Sequence, residues 1–199
     1  MYPSNLPNMI TQLMDAWMNG PLHTRQAVGC IAEGHYQIIT GRRDDEPYLL
    51  RLWVTAPLPG PDGKFDSGSS ELLHWFPRGD DDEALHDHPW DFRTEILDGG
   101  YVEHLPPMHY QHDSLEGPGP AFDQFTISRF PGTIISHAAE DLHCVGRLLA
   151  PITTGGLGGG CWTRVRTGER RREWGFHPPG QPWQPWRQFL GLESASVAP

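Results

Sequence analysis

His86 and His88 stand one residue apart in the run Leu85-His86-Asp87-His88-Pro89-Trp90. Residues i and i+2 of a β-strand share a face, so the two imidazoles converge on one point, as a pair of cis ligands to one cation must. Imidazole suits first-row divalent metals such as Fe, Zn, Ni and Mn. The chain holds 11 histidines. His104, His109, His112, His137 and His177 share no ligand spacing and read as surface or satisfied core residues. His137, six residues before His143, is the one best placed to join a cluster. Two carboxylates follow the pair: Asp91, open to a role as fourth ligand, as partner to a ligand imidazole or as turn cap, and Glu95, which strand alternation turns outward.

The elements that must position these residues are short strands. Period-two patterning begins at His35 and continues through HYQIIT, YLLRLWVTAP, SELLHWF, ALHDH, FRTEILDGG, YVEHL, MHYQHD, FDQFTISRF, GTIISHA, LHCVGRLL and CWTRVRT. About ten strands at this spacing predict a sandwich or barrel. Before them, Met9, Ile10, Leu13, Met14 and Trp17 share one side of a helical wheel, predicting a helix over Asn8–Trp17 with Gly20 and Pro21 as its stop. The expected division is 1–34 as helix and lead-in, 35–171 as the barrel and 172–199 as an arm. That arm carries Trp174, Trp183 and Trp186 among prolines and should lie across the barrel or across a second subunit. TTGGLGGG lacks the Lys and Ser/Thr of a phosphate-binding loop and reads as a hairpin connection. Asp80 to Glu83 lacks the alternation of a calcium loop and reads as a solvated turn.

Composition supports the same class. Gly 23 and Pro 20 in 199 residues leave little room for long helices. With 25 acidic against 15 basic residues the formal charge is −10, opposite in sign to the footprint that nucleic acid or an anionic membrane requires. No apolar run is long enough to span a bilayer and no signal-peptide pattern opens the chain, so the expected compartment is the cytoplasm. Cys30, Cys144 and Cys161 have no metal-like spacing and read as reduced thiols.

The two histidine-bearing stretches together resemble the cupins, whose first motif is G-x5-H-x-H-x3,4-E-x6-G and second G-x5-P-x-G-x2-H-x3-N. His86 and His88 supply the HxH, and Gly99 and Gly100 stand where the closing glycine falls. In the second motif Gly132 is followed at the required offset by His143. The positions of the motif glutamate are Phe92 and Arg93, and the opening glycine position is Asp80. Ala138, Glu140 and Arg147 occupy the second motif's Pro, Gly and Asn positions. The resemblance covers roughly residues 35 to 177. It implies an all-β double-stranded β-helix, or jelly-roll, barrel with a metal held by His86, His88 and His143 and without the motif's usual glutamate ligand.

Among cupins, such a three-histidine site resembles that of the thiol and β-diketone-cleaving dioxygenases. The local likeness to cysteine dioxygenase ends where a tyrosine should follow the third histidine, since none occurs after Tyr110. HDHPWDF and REWGFHPP also resemble small bacterial and phage cupins of unassigned function. The expected function is therefore an Fe(II) dioxygenase acting on a small anionic metabolite, with Zn, Ni or Mn as other metals. A non-catalytic metal-stabilised module, dimerising through its arm as a homodimer, and a metal-dependent isomerase or hydrolase are the alternatives. Arg51, Arg129, Arg164 and Arg166 lie on predicted strands, where an inward guanidinium would bind a carboxylate.

Overall fold

The structure, a computed structural model, describes residues 20–41, 44–55, 69–80, 84–107, 125–149 and 160–192. The expected helix over Asn8–Trp17, the MHYQHD strand with His109 and His112, most of the glycine-rich loop and the tail from Glu193 lie outside the described residues.

Alternating short strands give β1 (Tyr36–Thr40), β2 (Pro47–Thr55), β3 (Glu71–Phe76), β4 (Leu85–His86), β5 (Phe92–Asp98) and β6 (Tyr101–Leu105). They continue as β7 (Phe125–Arg129), β8 (Ile134–His137), β9 (Cys144–Leu148), β10 (Cys161–Thr167), β11 (Gly175–His177) and β12 (Gln184–Pro185). One sheet runs β1-β2-β3-β10-β5-β8; the others run β12-β11-β4 and β7-β6-β9. An antiparallel bridge between His86 and His143 joins the last two into a single layer, β12-β11-β4-β9-β6-β7. Strands β3, β10, β5 and β8 thus face β4, β9, β6 and β7, the pairing of an eight-stranded jelly roll. The hairpin β1-β2 widens one sheet and the arm's β11 widens the other, so the all-β jelly roll implied by the histidine motifs is the fold observed.

Side-chain alternation sorts the first sheet into two faces. Leu50, Leu52, Leu73, Trp75 and Trp162 point outward and pack under helix α1 (Leu22–Ala32) against Ala27 and Cys30. Leu49, Phe76, Cys161 and Ile96 point inward, meeting Tyr101 and Val145 of the opposite sheet. One step along the same face, Leu72, Phe92 and Val165 form a further inner layer with Trp53 and Trp90. Between these two apolar layers the four strands place Arg51, His74, Thr163 and Thr94, two residues from a member of each.

Helix α1 is not among the elements expected from the sequence, and the Asn8–Trp17 helix with Gly20 and Pro21 as its expected stop lies outside the described residues. Pro21 stands at the start of α1, where its fixed φ of −62° suits a helix entrance and its missing N–H leaves no donor unpaired. His23, Thr24, Ala27 and Cys30 form the buried stripe of α1. The turn from β5 to β6 explains the motif glycines: Gly99 has φ +75°, and a Cβ there would lie 2.0 Å from the Gly160 carbonyl oxygen.

Leu52 is fully buried between α1 and the first sheet. Leu52→Ala should therefore destabilise the protein by about 2–5 kcal/mol in urea unfolding. A loss below about 1 kcal/mol would show that α1 does not seal that face.

Candidate metal centre

The centre is built on the backbone bridge between β4 and the start of β9. His86 N donates to His143 O at 2.9 Å and His143 N returns a bond to His86 O at 3.0 Å. Directly opposed residues of an antiparallel pair project to the same face, so this exchange sets the two imidazoles side by side. His88 follows beyond the end of β4, held by its N–H donating to Ala139 O at 2.9 Å. Ring centroids are 5.1 Å apart for His86–His88, 4.9 Å for His86–His143 and 5.0 Å for His88–His143, a nearly equilateral triangle. One ring nitrogen from each lies within 4.8 Å of the other two. The Nε2 atoms of His88 and His143 are 2.8 Å apart. Nitrogens bound cis to one cation at about 2.0–2.1 Å stand roughly 3 Å apart, so this spacing fits a shared metal.

Burial, followed by the charge of His143, holds His86 and His88 well below the usual imidazole range. Both are therefore neutral near pH 7 and carry the lone pair that a metal needs. Each is only half-buried by accessible surface although desolvation is the leading influence on it. Arg51 and His74 share that combination.

Glu103, on β6 and wholly buried, orients the third imidazole. His143 Nδ1 donates to its Oε1 at 2.8 Å, which leaves the Nε2 lone pair of His143 facing the other two rings. His137 Nε2 lies 3.2 Å from the same oxygen. Arg129 Nε and Nη2 hold the other oxygen at 2.8 and 2.6 Å. Burial alone would raise the Glu103 carboxyl, but the hydrogen bonds from His137 and His143 and their charges bring it below the ordinary carboxylate range. Glu103, His137 and His143 also have donor atoms close enough to hold a metal. There, however, the carboxylate is already occupied by two imidazoles and balanced by the Arg129 charge. The three-histidine group contains no carboxylate, and a carboxylate accepting the second ring N–H of a ligand imidazole is the usual support of a metal site.

Asp87, between the two motif histidines, points to the opposite face and fastens the arm. Its carboxylate accepts from Gly175 N at 2.6 Å, Arg172 Nη1 at 2.7 Å and Trp183 Nε1 at 3.1 Å, and it is fully buried. Burial pushes its carboxyl up, and the Gly175 and Arg172 contacts oppose that rise. The arm so held pairs β11 with β4 in register Phe176↔His86. It brings Phe176 to 5.6 Å from the His86 ring and lays Trp174 parallel to His88 at 6.5 Å. Trp186 stacks on Trp174 and Phe189 on Phe176, so the arm supplies one aromatic wall of the centre. The arm lies on its own barrel.

The remaining sequence expectations divide clearly. Asp91 is not placed among the imidazoles: its exposed carboxylate accepts from Ala139 N and Arg171, the turn-cap role. Glu95 is on the outer face beside Arg93, Arg164 and Arg166. Arg164 meets Gln26 and Glu71, and Arg166 meets Glu71. Arg129 is committed to Glu103, which leaves Arg51 as the inward guanidinium of the four. His137 joins the cluster, stacking on Phe92 at 4.9 Å. His104 turns to the other face over Gly146, and His177 is buried on β11. Cys144 faces away from the imidazoles with Leu85 and Leu142. Sequence reading missed Glu103 and Asp87; inward alternation from Tyr101 and the space between two histidines were their only traces.

No family model and no curated protein matches the chain. Among solved structures, it is similar to Fe(II)-HppE crystallised with the alternative substrate (S)-1-HPP, at 13% identity and TM-score 0.41, covering 67% of this chain and 56% of that one. It thus spans little more than half of that chain's length. KdgF from Halomonas sp. is similar at 15% identity and TM-score 0.38, covering 71% of this chain and 92% of that one. A cupin superfamily protein from Desulfitobacterium hafniense DCB-2 is similar at 13% identity and TM-score 0.36, covering 61% of this chain and 77% of that one. The strand order described above defines the fold. Among the described residues, no helix is long and apolar enough to cross a membrane.

Asp87→Ala takes the carboxylate from a half-buried guanidinium, an indole N–H and a buried backbone N–H. It should cost about 3–5 kcal/mol and release the arm, read as rapid tryptic cleavage around Arg170–Arg172. Cleavage as slow as in the unaltered protein would show that other contacts hold the arm.

Proposed function

We propose that His86, His88 and His143 hold one divalent cation, and that the centre is a mononuclear Fe(II) dioxygenase site acting on a small anionic metabolite. The observation carrying this reading is the triangle of imidazoles whose ring nitrogens face one another with no carboxylate among them. A divalent cation bound there, Fe(II) or alternatively Zn, Ni or Mn, supplies a Lewis acid and template, its charge uncancelled by the ligands and with coordination positions open.

The chain's own residues prepare that chemistry. His86 and His88 present lone pairs because burial keeps them neutral. Glu103 holds the proton of His143 on Nδ1 and keeps Nε2 free, with Arg129 fixing the carboxylate in turn. Phe92, Trp174 and Phe176 wall the triangle with rings, limiting the water that reaches it. An isomerase or hydrolase built on the same residues would turn over without O2, so oxygen consumption by the loaded protein separates the readings. The non-catalytic module would bind metal and show no turnover.

Protein purified without added metal should contain one divalent ion per chain by elemental analysis. His143→Ala should contain none. Glu103→Gln should retain the site with about 10–100-fold weaker metal affinity. Wild-type protein without stoichiometric metal, or His143→Ala retaining it, would refute the centre.

A further inference from the structure

We propose that Arg51, His74 and Thr163 form a carboxylate-binding subsite on the wall of the barrel facing the histidine triangle. The three are consecutive in register across β2, β3 and β10: Arg51 pairs with His74, and His74 with Thr163. Being direct cross-strand neighbours, they share the inner face, framed by the two apolar layers on either side along the strands. Each has a buried polar atom without a hydrogen-bond partner among the described residues: Arg51 Nε, His74 Nε2 and Thr163 Oγ1.

Three polar groups side by side, each with a buried atom that no described residue partners, are not how a barrel is filled for stability. Arg51 is the sharpest case. The other guanidiniums raised by the sequence meet Glu103, Glu71 or Gln26, whereas Arg51 has no ion pair among the described residues. A buried cation without a counter-ion calls for an anion from outside. His74 is kept neutral by burial and by the Arg51 charge, so it adds a ring N–H and no second charge. Thr163 adds a hydroxyl. One positive charge flanked by two neutral donors balances a monoanion, and the planar fork of a guanidinium matches the two oxygens of a carboxylate. A phosphate dianion would leave a charge unbalanced. The charge of Arg51 is felt at His88, so subsite and triangle border the same interior. The substrate would anchor its carboxylate on this row and direct its reactive end to the imidazoles. That last step alone rests on the proposed metal centre.

Titration calorimetry with glycolate, its neutral counterpart glycolamide and inorganic phosphate tests the assignment, with metal content measured on each sample. Wild-type protein should bind glycolate, and bind glycolamide and phosphate at least about tenfold more weakly. Arg51→Met should weaken glycolate about tenfold or more at unchanged metal content, while Arg51→Lys restores part of the affinity. Thr163→Val, nearly isosteric, should weaken it several-fold and carries the test if Arg51→Met does not fold. Glycolate binding unaltered by these substitutions, absent from wild type, or matched by glycolamide or phosphate would overturn the subsite. His86→Ala separates the two claims. Arg51-dependent glycolate binding in a protein without metal upholds the subsite, even if the metal centre itself fails.

Discussion

Two backbone hydrogen bonds exchanged between His86 and His143 bear most of the architecture described above. They are the only ladder contact joining β4 to β9 among the described residues, and they merge two three-stranded ribbons into the second wall of the barrel. The same exchange makes two imidazoles cross-strand neighbours on the inner face. Closure of the fold and assembly of the centre are thus one event. His88 needs only to continue the chain by two residues to complete the triangle.

Charge placement follows from that closure. A carboxylate inside a barrel must be neutralised, and Glu103 is, by Arg129 on the neighbouring β7 and by two imidazole N–H groups. Asp87, which alternation sends outward from the same HxH, is neutralised by Arg172 and covered by the arm. The two acids therefore serve opposite faces of one layer: one fixes a ligand ring, and the other fastens the arm to the segment that carries the remaining two. Against these satisfied pairs, Arg51 on the facing wall, which has no ion pair among the described residues, is the exception, and exceptions of this kind tend to belong to function.

The fold was largely legible because jelly-roll strands obey a period of two, and His86 and His88 are a period-two signal. His143 was legible only through its distance from Gly132, a motif spacing whose reason is the turn before β8. Glu103 was not: an acid on a strand ordinarily faces water, and its inward position depends on Arg129, 26 residues along the chain. Asp87 was hidden in the same way, since its partners come 85 to 96 residues later. Pro21 gives no sign by itself that a helix follows it, and only the buried stripe of Ala27 and Cys30 under the first sheet accounts for α1. For the arginines, strand position was visible but facing was not, because Arg51 and Arg164 differ only in which neighbours their alternation sends into the two cores.

The central claim is that three imidazoles share one cation. A crystal structure of the purified protein with anomalous data collected at the edge of the metal found by elemental analysis tests it most directly. The account predicts one anomalous peak within about 2.0–2.2 Å of a ring nitrogen of His86, His88 and His143, with Glu103 still bonded to His143. No peak in the barrel, or a peak bound instead by Glu103 and His137, would contradict it.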